Sequence, residues 1–398
     1  MPFAPPDAPA PAARHHGAAA LLLNVAHALD HLMLLVFATA VSAIAADFGM
    51  ARWEDLMPYA AGAFVMFGLG SLPAGRLGDL WGRRAMMLVF YFGIGLSSML
   101  VAATQSPWQI AAALTLMGAF SSIYHPVGIP MLVQGATRPG WVIGINGLAG
   151  NLGIAAAALS TGLLVKYVGW RAAFVVPGLA AIACGIAFAR IAPREAGPPA
   201  RRAPRQVELP PALVARVLLA LTLTSTTGAL IFNFTTNGNA ELLRERMQAI
   251  TTDPARLGVL LAGVYVVASF AQLVVGRAID RFPLKRLLLA IVAVQVPLFL
   301  LASRAEGWAL YGLAIACMAF VFGAIPFTDA IIVRYVDDRS RSRVAGLRLA
   351  VSFGISSLAV WLLGPFVKSA GFDALFVTMA LIAAGTLLGA TLLPRTRA

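Results

Sequence analysis

The sequence predicts an all-α membrane protein: twelve transmembrane helices in two six-helix pseudo-repeats, with both termini cytoplasmic. Composition, the number of apolar runs and an internal repeat carry this expectation. Of the 398 residues 60% are hydrophobic and 12% charged, and the mean hydropathy is +0.82. Soluble domains carry about 25% charged residues, so this chain has too little polar surface to wrap a water-soluble core.

A helix that crosses a bilayer needs about 20 mostly apolar residues. Such runs lie at 18–46, 56–75, 85–104, 108–133, 140–166 and 171–191, and again at 212–239, 257–276, 286–303, 308–333, 344–368 and 372–393. Residues 1–17, MPFAPPDAPAPAARHHG, are rich in Pro and Ala and lack the regions of a signal peptide. They are expected to be a disordered cytoplasmic tail, with His15 and His16 in solvent. The stretch 192–211 holds PREAGPPARRAPRQVELPP, too polar for lipid, and is expected to be a cytoplasmic linker between the bundles 18–191 and 212–393. Residues 394–398 form a second short tail.

With both termini inside, cytoplasmic segments collect 22 of the 30 Lys and Arg. The positive-inside rule sets the orientation and accounts for the net charge of +13 without a nucleic-acid partner. A bacterial inner (plasma) membrane is the expected location. Cys184 and Cys317 both sit in apolar runs, so the chain offers neither a disulfide framework nor a CxxC metal site.

A shift of about 200 residues brings the halves into register. GRLGDLWGRR from Gly75 meets GRAIDRFPLKR from Gly276, pairing Gly75 with Gly276, Arg76 with Arg277 and Asp79 with Asp280. GWRAAF at Gly169 meets GFDALF at Gly371, and Ala119, Phe120 and Pro126 return as Ala319, Phe320 and Pro326. Two such halves enclose a cavity on a pseudo-twofold axis, with the substrate site near the membrane midplane.

In these features the chain resembles the major facilitator superfamily. That family's signature between helices 2 and 3, G-x-x-x-D-x-x-G-R-[RK], is matched by Gly75, Asp79, Gly82, Arg83 and Arg84; the second copy has Pro283 where the family often has Gly. The resemblance implies a cytoplasmic gate of Gly75, Arg76, Asp79, Gly82, Arg83, Arg84, Gly276, Arg277 and Asp280. In it, an aspartate at a helix end beside arginines latches one half to the other in the outward-open state.

Ionisable groups inside a span cost roughly 2.5 to 3.5 kcal/mol on insertion scales and are functional candidates by default. Span 1 reads NVAHALDHLML, and at about 100° per residue Asn24, His27 and His31 share a stripe flanked by Asp30 and continued by Ser42. Span 4 brings Gly118, Ser121, Ser122, His125 and Gly128 to one side, with Pro126 kinking the helix. Span 5 adds Asn146 and Asn151 among closely spaced glycines, and span 7 adds Asn233, Asn237 and Asn239. In the second half Asp329 and Arg348 are the interior candidates. A buried guanidinium needs a partner, which Asp329 or an anionic substrate group supplies.

Asn24, His27, Asp30, His125 and Pro126, with GNLG at Gly150, also resemble the fosmidomycin-resistance-type branch. The arginine that many proton-coupled members carry on span 4 is Leu114 here, and span 5 lacks the Gly-Pro antiporter motif. The expectation is a monomeric, cofactor-free secondary transporter, not an enzyme, whose partners are membrane lipid, protons and a small organic solute. Proton coupling is assigned to His27, Asp30 and His31, since imidazole titrates near neutral pH. Substrate binding is assigned to Asn24, His125, Asn146, Asn151, Asn233, Asn237, Asp329 and Arg348. The alternative uses His27, Asp30, His31 and His125 as ligands for a transition-metal cargo, and a non-transporting membrane receptor is the third reading.

Overall fold

The computed structural model describes residues 11–134, 136, 139–193, 210–335 and 338–394, without the side chains of 11–16, 139–140, 211, 214, 329, 333, 338–346, 349 and 353. Most of the expected linker, the first ten residues and the last four lie outside the described residues.

Among the described residues eleven helices are long and apolar enough to cross a membrane. They are α1 (Gly17–Asp47), α2 (Trp53–Trp81), α3 (Arg83–Ala102), α4 (Pro107–Val133), α5 (Trp141–Tyr167), α6 (Trp170–Ile191), α7 (Ala215–Arg246), α8 (Pro254–Ile279), α9 (Leu284–Ala302), α10 (Gly307–Ile332) and a last stretch, Ala350–Thr391. That last stretch belongs to a helical run of 54 residues, Asp338–Thr391, broken at Gly371 with φ 76° and ψ 173°. Unbroken it would be roughly 80 Å long, far beyond a bilayer. It is therefore two spans, α11 (338–370) and α12 (371–391), and the layout has the expected two sets of six.

Local chemistry explains several boundaries. Ser106 caps α4 by accepting from the Gln109 N–H, and Asp253 caps α8 by accepting from the Arg256 N–H; a proline follows each cap at the first helical position. Gly169 (φ 119°) turns α5 into α6 just as Gly371 turns α11 into α12, so the pair matched by the repeat occupies one structural role.

Two expectations are corrected here. Helix 1 starts at Pro11, so residues 11–17 of the expected disordered tail are helical: Pro11 presets the first turn, and the Ala-rich stretch behind it propagates the helix. The motif at Gly75 is likewise not a loop. α2 runs on to Trp81, and Gly82 alone (φ 91°, ψ 142°) joins it to α3. The second half, with Pro283 as the residue before α9, uses a longer turn between Ile279 and Leu284.

Arg84 donates to the carbonyls of Ala192 (3.0 Å) and Ala189 (2.5 Å), at the end of α6. Its repeat counterpart Lys285 donates to Thr391 and Leu393, at the end of α12. Both cations satisfy carbonyls orphaned at a helix C-terminus.

Across the halves, α5 lies along α8 and α2 along α11. A Cβ on Gly162 would stand 2.9 Å from Gly258 Cα, and one on Gly258 would stand 3.0 Å from Gly162 Cα, so these backbones touch directly. At the same end Ser42 Oγ donates to Glu241 Oε1 (2.6 Å), Lys166 pairs with Asp253, Lys368 pairs with Asp55, and Trp53 stacks on Phe372 at 6.3 Å. At the opposite end Asp79 and Asp280 make no ion pair among the described residues. The halves are closed where the α1–α2 and α7–α8 connections lie.

In a Cys184→Ala, Cys317→Ala background, Gly258→Leu is expected to prise α5 from α8, so that a cysteine at Ser42 reacts several-fold faster with an impermeant maleimide. Unchanged labelling would mean that this contact does not hold the end shut. Lys166 and the Arg256 N–H hold the exposed Asp253 carboxyl below the usual carboxylate range. Its folded value lies below its unfolded one, so its stabilising contribution is present at neutral pH and lost as pH falls below about 4. Asp253→Asn is expected to lower the thermal midpoint at pH 7 and to flatten its further fall in acid.

Candidate functional site

The helix-1 stripe does not point freely into the space between the halves; it turns into its own bundle, against α4 and α5. His27 Nδ1 donates to the Asn146 carbonyl at 2.7 Å. That bond fixes the neutral tautomer, because a carbonyl can only accept, and leaves His27 Nε2 with its lone pair. His31 Nε2 lies 3.1 Å from that atom. The Tyr124 ring stacks on His27 at 4.8 Å, and His125 meets His27 edge-on at 5.0 Å.

Backbone choices make room for this cluster. A Cβ on Gly150 would lie 2.7 Å from His27 Nε2, and one on Gly153 would collide with the Ala28 backbone, so α5 can reach helix 1 only where it lacks side chains. Pro126 donates no N–H, and the helix opens there into a π turn over Tyr124–Gly128. That widened turn carries both Tyr124 and His125.

Asp30 is fully buried, and neither of its carboxyl oxygens has a protein hydrogen-bond partner of good geometry; the Ser121 hydroxyl stands by at longer range. His125 Nε2 lies 3.7 Å from Asp30 Oδ2. His31 and His125 are half-buried, whereas His27 is buried. The half-buried guanidinium of Arg348, from the other half, lies within electrostatic range of His125.

The remaining predicted residues divide. Asn24 accepts from Asn146 Nδ2 (2.9 Å), and the same amide group reaches the Tyr124 hydroxyl (2.6 Å). Asn146 is thus a buried strut of the first bundle. Asn233 and Asn237 are buried too, and donate to Ala229 and Asn233 carbonyls of their own helix. Asn151 is buried on α5 and Asn239 on α7, while the Asp329 side chain lies outside the described residues. Ser42 lies away from the cluster, at the closed end. Of the gate residues, Arg84 holds the end of α6 and Arg277 donates to Leu273 of its own helix, so neither Arg84 nor Arg277 bridges the halves through these contacts.

The family model for the Major Facilitator Superfamily matches residues 23–244 and 238–398. The chain belongs to this superfamily. It is therefore a multi-pass integral membrane protein of a transporter family. Within the superfamily it is 30% identical over 173 residues to the puromycin resistance protein pur8 of Streptomyces alboniger, covering 43% of this chain and 33% of that one. It is 31% identical over 155 residues to the tetracenomycin C resistance and export protein of Streptomyces glaucescens, covering 37% and 28%. The aligned part thus spans about a third of the length of these relatives. In fold it matches an inward-facing, unoccupied bacterial homolog of the human lysosomal transporter Spinster, with a TM-score of 0.71, 12% identity and 95% coverage of each chain.

Tyr124 and Glu241 were not among the sequence candidates. Tyr124 sits beside the His-Pro pair and reads as an ordinary core aromatic, and only the π turn shows that it faces His27. Glu241 was assigned to the outer loop, but α7 continues to Arg246 and buries it against Ser42 and Arg244. Asn146→Leu is expected to leave Asn24 and Tyr124 without their shared partner, at roughly 1–3 kcal/mol per orphaned group. The thermal midpoint in detergent should fall clearly, and more than for Tyr124→Phe; equal midpoints would show that the strut is dispensable.

Proposed function

We propose that the protein is a proton-coupled secondary transporter that moves a small organic solute out of the cell by alternating access. The single observation carrying this reading is Asp30: a carboxyl with no exposure and no well-formed hydrogen bond, 3.7 Å from a half-buried imidazole. A carboxylate so placed is tolerated only with a cation beside it or a proton on it. His31 and His125 form the route by which that proton arrives. Export is supported by the printed names of the relatives, which speak of resistance and export.

The C-terminal half contributes Arg348, whose charge meets the cluster from across the interface and suits an anionic group on the solute. With the termini cytoplasmic, the closed end faces outward and the structure is open inward. The Asp79 and Asp280 latches then belong to the opposite state, in which the cytoplasmic ends approach. A bacterial inner membrane and a monomeric unit complete the reading. The likeness to the fosmidomycin-resistance-type branch rests on Asn24, His27, Asp30, His125 and Pro126, and it supports a small anionic solute.

In proteoliposomes, transport of an amphipathic reporter driven by a pH gradient is expected to fall at least ten-fold in Asp30→Asn, while exchange of reporter without a gradient persists. Gradient-driven transport equal to the unaltered protein would remove Asp30 from the coupling step.

A further inference from the structure

The same cluster has the composition and geometry of a metal site. We propose that His27, His31 and His125, with Asp30 as the anionic donor, bind one divalent first-row transition-metal ion. This goes beyond the transport reading and stands on the arrangement of donors alone.

The ligand atoms that the three imidazoles offer all lie within 4.8 Å of one another. His27 Nε2 and His31 Nε2 are 3.1 Å apart, close to the roughly 3.3 Å edge of a tetrahedron with metal–nitrogen bonds of about 2.0–2.1 Å. His125 must draw in by up to about 1.5 Å, from a spread of 4.8 Å to the tetrahedral edge, by side-chain rotation of a half-buried ring on a π turn. Asp30, beside His125, supplies a negative charge to offset the ion's two positive ones.

The second shell is built as well. The Asn146 carbonyl takes the His27 Nδ1 proton and so keeps Nε2 available as a ligand, as outer-shell acceptors do for metal-bound histidines. Asn146 is in turn held by Asn24 and Tyr124, which sets the ring's orientation. His31 and His125 are the less buried members, the ones an arriving ion would meet first. Three imidazoles with one carboxylate suit zinc, cobalt, nickel or copper ions, and disfavour magnesium and calcium, which take oxygen ligands.

The test uses the full chain in detergent, purified without a polyhistidine tag and with His15→Ala and His16→Ala, since these are the only other histidines of the five. Cobalt(II) is the probe. One ion per chain is expected, with the intense visible absorption of a four-coordinate nitrogen and oxygen site, displaced by zinc. The apparent Kd should weaken at least ten-fold in His31→Gln and in His125→Gln. Absence of saturable binding, or equal affinity in both variants, would overturn the site. If His125→Gln loses helix content or elutes as aggregate, His31→Gln decides, because its one hydrogen bond among the described residues is to His27. The readout needs no gradient, so cobalt binding in a protein that fails to move protons keeps the metal site and sinks the coupling reading. Gradient-driven transport with no cobalt binding overturns the metal site alone.

Discussion

A carboxyl group without a well-formed hydrogen bond, deep in a six-helix bundle, is the constraint on which the first half of this molecule is organised. Asp30 is tolerated only because something positive, or a proton, stands beside it. The sequence meets that need with imidazoles on two helices and then holds those imidazoles in place. Pro126 opens α4 into the π turn that carries His125, and Gly150 and Gly153 let α5 close over helix 1. Asn146 joins Asn24, Tyr124 and His27 across three helices. Removing any one of these leaves a buried polar group without its partner, so the site and the bundle's packing are one structure.

The contacts that close the two halves are of another kind. Lys166 with Asp253 and Lys368 with Asp55 are partly exposed pairs, screened by solvent and weak. The direct backbone contact of Gly162 with Gly258 gains dispersion without interlocking side chains. Such an interface holds a closed end and can also be released, as the proposed alternating access would require, whereas the cluster around Asp30 is too interdependent to come apart with it. Rigid bundles joined by a weak, symmetric seam follow from where strong and weak interactions are placed.

Much of this was legible in the chain. Apolar runs and loop charge found the spans, and the pairing of Gly169 with Gly371 found two turns that share a left-handed glycine. The helix-1 stripe was found because a polar residue in an apolar run has no packing reason to be there. What escaped detection depends on neighbours distant in sequence. Whether Asn146 faces a cavity or a tyrosine is decided by how α5 lies on helix 1, and periodicity along one helix carries no information about that. Arg84 reads as a gate residue and Lys285 as an orienting charge, yet they satisfy the carbonyl ends of α6 and α12, over 100 residues further along the chain. The family signature puts Gly82 between helices 2 and 3, and its single positive-φ turn lets α2 stay helical up to it.

The repeat also shows what was not duplicated. Turns and helix-end cations recur in both halves, but the ionisable cluster occurs only in the first; α7 offers hydroxyls and amides at the corresponding place. A cation taken up by the cluster therefore charges one half and not the other. Arg348 stands in the second half, within range of His125, and two positive charges in a medium of low dielectric repel strongly. On the proposed reading, loading His125 would act against the approach of Arg348, and an anion between them would remove the conflict. An asymmetric site across a symmetric seam would then turn occupancy into a force between the halves, whereas a fully symmetric cluster would load both halves alike and leave no such difference to drive them.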